Sequence, residues 1–220
     1  MKHYSVLKSE TISGLNIHSD GIYVDATIGY GGHSSEILKK IKKGYLFAFD
    51  ADAEAVNYST ELLSKISENF EIFENNFVNM QHVLKDRGVS NVDGILFDLG
   101  FSSPQIDNFN RGFSFMHDGP LDMRKKKKGK SAKDIIDNYS IENLCKIFFE
   151  YGEEKQSKEI SKKIVENRLN INTTLELVEI IKSAVGSNYF YKTHPERKIF
   201  QALRIEVNDE LKVLEIVLPD

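Results

Sequence analysis

The chain has 220 residues, of which 40% are hydrophobic and 28% are charged, as is ordinary for a soluble globular protein. It carries 29 basic and 33 acidic side chains, so its net charge is -4, which argues against a protein that coats nucleic acid over its whole surface. A local basic patch is compatible with that balance, because docking on a phosphate backbone depends on the local field.

Cysteine usage and hydropathy exclude further classes of protein. The single cysteine, Cys145, cannot form an internal disulfide, which fits a reducing cytoplasm, and its apolar helical surroundings predict packing. The six histidines are scattered without cysteine partners at metal-ligand spacing, so we predict no metal site. The polar start of the chain is unlike a signal peptide, and no apolar run approaches the ~18 residues of a membrane span. We therefore expect a cytoplasmic protein without membrane contact.

Strand and helix patterns alternate in the first hundred residues. Apolar runs predict four strands, at 22–27, 45–49, 70–73 and 94–97. Helical spacing predicts helices between them, at 34–41, 52–66 and 78–84. Strands that are apolar on both faces and separated by helices indicate a parallel sheet covered on both sides. The predicted fold class is therefore α/β, with a Rossmann-like, mostly parallel sheet.

The pattern changes after Gln105. Residues 106–133 read as a loop that contains a dense basic run, and later residues predict helices at 140–151, 153–169, 173–184 and 199–218. Ser140 is predicted to cap the first of these helices, and Thr173 with Glu176 predicts a capping box. The second half therefore resembles a helical insert in the α/β sheet. Because nothing after the fourth strand reads as a strand, its outer edge lacks a predicted partner.

A glycine-rich turn, DATIGYGGH at 25–33, joins the first strand to the first helix of the sheet. Glycines there let a ligand approach the main chain closely, and the amide groups at the helix start face that ligand. Asp50 ends the second strand, where a carboxylate commonly accepts the hydroxyls of a ribose. The sequence thus predicts a nucleoside site, and a turn without a ligand is the alternative.

The glycine spacing narrows the class of ligand. It is neither the dinucleotide pattern G-x-G-x-x-G nor a phosphate loop, which favours a nucleoside without a pyrophosphate, most commonly S-adenosylmethionine. The rival, a nicotinamide-dependent dehydrogenase, is disfavoured by the same spacing. Asp25, Asp50 and Asp98 end three predicted strands, and carboxylates that converge on one crevice suit a cation such as a sulfonium. Capping of the following helix is the alternative for each of them.

Several longer segments carry a family resemblance. They are YVDAT at 23–27, GGHS at 31–34, DGILFDLG at 93–100, SSPQ at 102–105, RGFSF at 111–115, GPLDMR at 119–124, YGEE at 151–154, HP at 194–195 and FQALRI at 200–205. With these segments the chain resembles the ribosomal RNA small-subunit methyltransferase H family, whose members N4-methylate a cytosine in the decoding centre of 16S rRNA. The segments cover the chain nearly end to end, and no common fold-level motif contains them.

The resemblance implies a domain organisation, a cofactor and a partner. We expect a methyltransferase domain over residues 1–108, a mostly helical insert on the substrate side over 109–205, and a return to the first domain over 206–220. S-adenosylmethionine is the implied cofactor and 16S rRNA in the small ribosomal subunit the implied partner, with a homodimer left open. The implied cofactor contacts are Gly31, Gly32, His33, Asp50, Phe77, Asp98 and Gln105. For the ring of Phe77, ordinary core packing is the alternative.

Asp98 is the candidate catalytic residue. The N4 amine of cytosine is a poor nucleophile because its lone pair is delocalised into the ring, and an acceptor for an N4 hydrogen would localise that pair. The Asp98 carboxylate, or a neighbouring backbone carbonyl, is the predicted acceptor, and general-base help of this kind is typically worth about 10²–10⁴-fold. A role for Asp98 in cofactor binding alone is the alternative.

A strong basic cluster lies between residues 124 and 133 and is predicted to contact rRNA phosphates. A solvated flexible loop is the alternative. His194, Arg204 and Asn208 are predicted to line the substrate cleft, with helix packing as the alternative. The candidate RNA-binding residues are Arg124, Lys125, Lys126, Lys127, Lys128, His194 and Arg204.

The chain departs from the family pattern in two places. After Arg124 the family usually continues with Met-Asp, whereas this chain has four lysines. Family members also continue beyond the position of Asp220 with further strands, including a segment similar to SFHSLED, and those strands would cover the open edge of the fourth strand. We therefore expect a member truncated at its C-terminus. A non-catalytic RNA-binding or ribosome-assembly factor derived from such an enzyme is the alternative function.

Overall fold

The computed structural model describes residues 6–100, 106–126 and 128–218. The predictions made for Gln105 and Lys127 fall outside these residues. The chain divides into two compact units, one formed by residues 1–102 with 213–220 and the other by residues 103–212. None of the helices in the described residues has the length and apolar character that a bilayer span requires.

The first unit alternates strands with helices, as the sequence predicts. Its helices are α1 (Lys8–Gly14), α2 (Gly32–Lys40), α3 (Ala53–Leu63) and α4 (Met80–Asp86), the last preceded by a 3₁₀ turn at Phe77–Asn79. Its strands are β1 (Ile22–Asp25), β2 (Tyr45–Asp50), β3 (Phe70–Glu74) and β4 (Gly94–Leu96).

The four strands form one parallel sheet in the order β3-β2-β1-β4. Pairing sets Asp25, the last residue of β1, opposite Ala48 of β2 and Leu96 of β4. The unit is therefore an α/β unit with a Rossmann-like parallel sheet, and the predicted fold class is confirmed. In the described part of the chain β4 pairs only with β1, and its Ile95 is 40% exposed, in agreement with the predicted open edge.

Alternate residues of each strand enter two different apolar layers, because successive side chains of a strand point to opposite faces of the sheet. Tyr23 and Leu46 belong to a cluster with residues of α1, α2 and α3. Val24 and Phe47 belong to a second cluster with residues of α4 and with Val217. Burial of one such large apolar side chain contributes roughly 1.5–3 kcal/mol. The two layers thus cover both faces of the sheet and hold the carboxyl ends of its strands in place.

The second unit is helical. Its helices are α5 (Ala132–Asn138), α6 (Ile141–Glu150), α7 (Ser157–Asn167), α8 (Thr174–Val185), α9 (Ser187–Thr193) and α10 (Pro195–Val207), and 3₁₀ turns lie at Phe109–Arg111 and Arg168–Asn170. Ser140 caps α6, and the predicted capping box of Thr173 and Glu176 is present at the start of α8. The buried faces of α6, α7, α8 and α10 form the apolar interior of this unit.

Two predicted helices are interrupted by residues with left-handed backbone. The helix predicted over 153–169 begins only at Ser157. Glu153 has a left-handed φ of 52°, and the amide of Glu154 donates to Phe148 O at 3.0 Å, at the end of the preceding helix. The single helix predicted over 199–218 is wrong: α10 ends at Val207, and α11 (Glu210–Val217) follows after Asp209, whose φ is 50°. In both places the apolar spacing continues across the turn, so periodicity alone does not reveal the break.

Candidate functional site

The glycine-rich turn crosses the carboxyl ends of β1 and β2. Gly29 and Gly31 have φ values of 50° and 74°, in the left-handed region that glycine adopts most readily. The turn is fastened by the Ile28 amide, which donates to Phe49 O at 2.9 Å, and by the Gly31 amide, which donates to Ile28 O at 2.9 Å. The start of α2 is therefore held beside the end of β2.

Asp25 supports this turn from below. Its side chain is only 1% exposed, and it accepts hydrogen bonds from the Thr27 amide at 3.1 Å and from the Ser34 hydroxyl at 2.6 Å. Burial raises the pKa of the Asp25 carboxyl to about 6, although the two hydrogen bonds and the nearby His33 favour the charged form. A carboxylate so enclosed shapes the turn through its hydrogen bonds, while its negative charge still contributes to the local field.

Asp50 ties the end of β2 to the turn and to α3. One of its carboxylate oxygens accepts the Gly29 amide at 3.0 Å, and the other accepts the Asp52 amide at 2.9 Å. Asp52 in turn caps α3 by accepting the Glu54 amide at 3.1 Å. A carboxylate oxygen can accept more than one donor, so these two amides orient Asp50 without exhausting its capacity for hydroxyl groups.

Asp98 follows β4 and presents the most open of the three strand-end carboxylates. Its amide donates to the Thr27 hydroxyl at 2.7 Å, which fixes its backbone beside the turn, while its side chain is 45% exposed. The buried His33 places Nδ1 at 3.5 Å from Asp98 Oδ2 and Nε2 at 3.1 Å from Val6 O. Since a carbonyl oxygen only accepts, Nε2 is the donor in the contact with Val6, and Nδ1 is the ring nitrogen that faces Asp98.

The amino end of α2 has no side-chain cap among the described residues, because its N-cap residue is Gly31. The amides of a first helical turn have no partners within the helix and attract electronegative groups of a ligand. A Cβ atom at Gly31 would lie 3.2 Å from Ser59 Oγ and 3.3 Å from Leu62 Cδ2, so the backbone runs close against α3 here. The turn thus forms a narrow, glycine-lined edge.

Phe77 lies in the 3₁₀ turn before α4 and is partly buried. Its ring meets the ring of Phe97 edge-on, at a centroid distance of 5.4 Å and an angle of 80°. The ring packs against the apolar layer that contains Val24 and Phe49. The Phe77 ring thus has core packing and keeps some exposed surface.

The structure brings together Gly31, Gly32, His33, Asp50 and Asp98 of the predicted cofactor contacts, around one turn. Gln105 lies outside the described residues. Three supporting residues were not predicted for this site: Thr27 and Ser34, which lie inside matched segments, and Ser59, which donates to Gly29 O at 2.7 Å. Nothing in the sequence around Ser59 indicates this contact, since it depends on how α3 packs against the turn.

The basic cluster of the second unit contains two kinds of side chain. Some are paired within the unit: Arg124 forms a two-pronged contact with Asp122 at 2.7 and 2.8 Å, and Lys125 Nζ lies 3.1 Å from Glu210 Oε1. Others are exposed: Lys126 and Lys128 face solvent, as does Lys130, whose Nζ lies 5.6 Å from the centre of the Tyr139 ring.

Two further candidates for RNA contact are held by carboxylates. Arg204 Nη2 donates to Glu210 Oε2 at 2.9 Å. His194 Nδ1 lies 3.0 Å from Oε1 of the buried Glu196, at the start of α10. Both contacts lie inside the second unit. In the part of the chain that the structure describes, no group of three or more histidine, cysteine, aspartate or glutamate residues could hold a metal ion.

Comparison with known proteins gives one consistent family. A model described as the MraW methylase family matches residues 1–220. Relatives named Ribosomal RNA small subunit methyltransferase H are 54% identical over 217 residues in Mycoplasma mycoides, 51% over 217 residues in Mesoplasma florum and 49% over 223 residues in Clostridium botulinum.

These matches take in 97%, 97% and 100% of this chain, which spans 70%, 70% and 72% of the respective relatives. The family model and the relatives confirm the resemblance drawn from the sequence segments. The chain belongs to the MraW methylase family.

Proposed function

We propose that this chain transfers a methyl group from S-adenosylmethionine to the N4 amine of a cytosine in the decoding centre of 16S rRNA. Membership of a methylase family and relatives named for the small-subunit ribosomal RNA support this activity. The observation that carries the proposal is the assembly of Asp50, His33 and Asp98 around one glycine-lined turn at the carboxyl ends of the strands. A ribosomal substrate would place the protein in the cytoplasm.

The residues of the crevice fit the chemistry of the methyl donor. The glycines of the turn and the amides at the start of α2 suit a ligand that approaches the main chain. Asp50 would accept the ribose hydroxyls, and Phe77 would pack on the adenine with the exposed part of its ring. The nearby negative charges of Asp25 and Asp98 favour a cation. When bound, the donor supplies a methyl group activated by its positively charged sulfur.

Asp98 would act on the acceptor amine. Its exposed carboxylate accepts one N4 hydrogen, which localises the nitrogen lone pair, and takes up the proton that the amine loses on methylation. His33 would hold that carboxylate in place from the buried side, and Thr27 would fix its backbone. Positioning of the two reactants then supplies much of the rate, as in other in-line displacements.

The exposed lysines of the second unit would bind rRNA phosphates. Lys126 and Lys128 carry this role most directly, with Lys127 between them in the sequence, because Arg124 and Lys125 are paired with carboxylates in the same unit. Each phosphate neutralised steepens the salt dependence of binding by roughly 0.7–0.9 log units per decade of salt. Charge reversal at Lys126 and Lys128 is therefore expected to weaken RNA binding and flatten its salt slope.

The test is methyl transfer to small ribosomal subunits that lack the modification, followed by nucleoside mass spectrometry. We expect N4-methylcytidine with the unaltered chain. Asp98→Asn should lower turnover at saturating donor by about 10²–10⁴-fold. Asp20→Asn, an exposed aspartate outside the crevice, is the matched control and should leave turnover unchanged. Full turnover by Asp98→Asn would contradict the catalytic role of this residue.

Binding measurements separate the rival functions. S-adenosylhomocysteine should bind to the chain and NAD should not, because the glycine spacing lacks the dinucleotide pattern. A chain that binds RNA but neither binds S-adenosylhomocysteine nor methylates subunits would instead be an RNA-binding or assembly factor, and would contradict the proposed activity.

A further inference from the structure

Three exposed side chains lie in the loop that begins the second unit, and two of them are in contact. Phe109 is 42% exposed and Met116 is 74% exposed, and His117 is exposed as well. The rings of Phe109 and His117 are stacked, with a centroid distance of 4.1 Å and an interplanar angle of 28°. Since each ring covers one face of the other, their exposed surface comes from the outer faces and edges. The result is an open aromatic surface, called the ring pair below.

The backbone beneath the ring pair is tightly built. A Cβ atom at Gly112 would lie 1.9 Å from Pro120 O, and one at Gly119 would lie 2.1 Å from Phe109 O, so the two arms of the loop press directly on each other. These close approaches, in the matched segments at 111–115 and 119–124, set the two rings face to face. The sequence segments thus have a structural role that the cofactor crevice does not explain.

The loop is also anchored to the helical part of its unit. Thr174, the first residue of α8, donates its amide to Gly119 O at 2.9 Å and its hydroxyl to His117 O at 2.9 Å. The Ser114 hydroxyl accepts the amides of Met116 and His117, each at 3.2 Å. Because the backbone is fixed in advance, the ring pair loses little conformational freedom when a ligand binds.

Arg111 connects the ring pair to the basic cluster. It lies two residues after Phe109, its Nη2 donates to Arg124 O at 3.1 Å and Lys125 O at 3.3 Å, and its own carbonyl accepts the Met123 amide at 3.0 Å. The two residues whose carbonyls accept these bonds directly precede the exposed Lys126. An aromatic surface and a cationic segment are thus joined through one side chain, the combination that binds single-stranded nucleic acid by its bases and its phosphates.

We propose that the ring pair of Phe109 and His117 is a stacking platform for a nucleobase of single-stranded RNA, with Met116 as an apolar flank. The proposal rests on the RNA substrate of the proposed function, and adds the site at which an unpaired base of that RNA is held. Proteins that recognise an RNA sequence commonly stack unpaired bases on aromatic side chains. Substitution of such a side chain weakens RNA binding measurably.

A fluorescence experiment tests the platform on the full chain. The probe is a short single-stranded oligoribonucleotide that contains one 2-aminopurine, whose emission is quenched on stacking. The unaltered chain should bind it and quench the emission. Phe109→Leu keeps an apolar side chain without a ring, and His117→Ala removes the second ring; each should weaken binding by about 5- to 150-fold and reduce the quench. Tyr191→Leu, an exposed aromatic on α9 with 62% exposure, is the matched control and should change neither.

The salt dependence identifies which contact is lost. The ring variants should keep the salt slope of the unaltered chain, whereas reversal of Lys126 and Lys128 should flatten it. Binding and quenching that remain unchanged in both ring variants overturn the platform, even where methyl transfer to subunits proceeds. A quench that disappears in Phe109→Leu supports the platform, even where no methyl transfer is found, so the two proposals fail separately. Thermal unfolding of each variant confirms that the fold is retained.

Discussion

The hydroxyl of Ser34, in the first turn of α2, donates to the carboxylate of Asp25, at the end of β1, over 2.6 Å. Both side chains are buried, with exposures of 0% and 1%. A hydrogen bond to a charged group is worth roughly 1.5–3 kcal/mol, so this contact offsets part of the cost of burying the carboxylate. It also holds the start of α2 on the strand end, which places the glycine-lined edge of the crevice.

The burial of Asp25 predicts a specific dependence of stability on pH. Its pKa is raised from the ordinary 3.8 to about 6 in the folded chain, so the folded state binds the proton more tightly than the unfolded state. Folding is therefore favoured at low pH, and that contribution is lost as the pH rises from about 4 to above 6. Asp25→Asn removes this titration and keeps an oxygen acceptor for the Thr27 amide.

Urea unfolding of Asp25→Asn and of the unaltered chain at several pH values measures this effect. Between pH 5 and pH 8 the stability of the variant should gain about 1–2 kcal/mol relative to the unaltered chain. Asp20→Asn, at an exposed position, should show no such relative gain. Parallel pH curves for Asp25→Asn and the unaltered chain would mean that Asp25 titrates alike in both states.

Gly31 is a position in the turn where a single change should be costly. Alanine at a φ of 74° meets the left-handed penalty of about 1–2 kcal/mol, and its Cβ atom would crowd Ser59 Oγ at 3.2 Å. We expect Gly31→Ala to lower the free energy of unfolding by at least that amount and to weaken binding of S-adenosylhomocysteine. Calorimetric titration and urea unfolding measure the two effects.

Gly14→Ala serves as the control for this change. Gly14 lies in α1, and an added Cβ atom there meets nothing within 4 Å. Alanine should therefore be neutral or stabilise the chain by about 0.5–1 kcal/mol, without an effect on ligand binding. Equal effects of the two substitutions would show that the turn at Gly31 imposes no special conformation.

The two central strands, β1 and β2, could be predicted from the sequence because both of their faces are covered. Tyr23 and Val24 are neighbours in β1 yet are both buried, one in each apolar layer, and an unbroken apolar run records this directly. The turn was also predictable, since Gly31 and Asp50 follow local patterns at strand ends. Local sequence patterns were enough to predict the elements whose structure depends on residues close together in the chain.

The remaining features depend on contacts between residues far apart in the chain. The break after Val207 is accompanied by Asn208, whose side chain bonds backbone atoms 83 and 85 residues earlier, at Lys125 and Met123. The pairing of Lys125 with Glu210 is of the same kind, because the two residues lie far apart in the chain, whereas Arg124 is paired with the neighbouring Asp122. A run of basic residues predicts a positively charged segment, and the tertiary contacts determine which of its side chains remain exposed.

A third prediction concerns Glu154, a fully buried carboxylate in the matched segment at 151–154. One of its oxygens accepts the Tyr189 hydroxyl at 2.6 Å and the Gln156 amide at 2.9 Å. The other lies 3.6 Å from Lys198 Nζ. Tyr189→Phe removes a donor from a buried acceptor, which costs about 1–3 kcal/mol of unfolding free energy. Urea unfolding should detect this loss.

Tyr58→Phe is the control for the loss of a tyrosine hydroxyl. Tyr58 is 53% exposed, and its ring contact with Tyr30 at 5.0 Å does not require the hydroxyl group. The control should change stability by less than about 0.5 kcal/mol, as surface substitutions usually do. A Tyr189→Phe variant with the same free energy of unfolding as the control would show that the buried Glu154 carboxylate does not need this hydrogen bond.

The last prediction separates two roles for Asn208, which the sequence placed in a substrate cleft. Its amide group donates to Met123 O and to Arg204 O, both at 2.9 Å, and its side-chain oxygen accepts the Lys125 amide at 2.8 Å. These bonds hold the basic segment on the end of α10. Asn208→Ala should therefore lower the free energy of unfolding by roughly 1–3 kcal/mol and accelerate hydrogen exchange at the Lys125 amide. Asn138→Ala, which removes one bond to Asp134 O within α5, should affect neither quantity at that level. Direct substrate contact would give the opposite pattern, in which methyl transfer falls while stability and exchange at Lys125 stay unchanged.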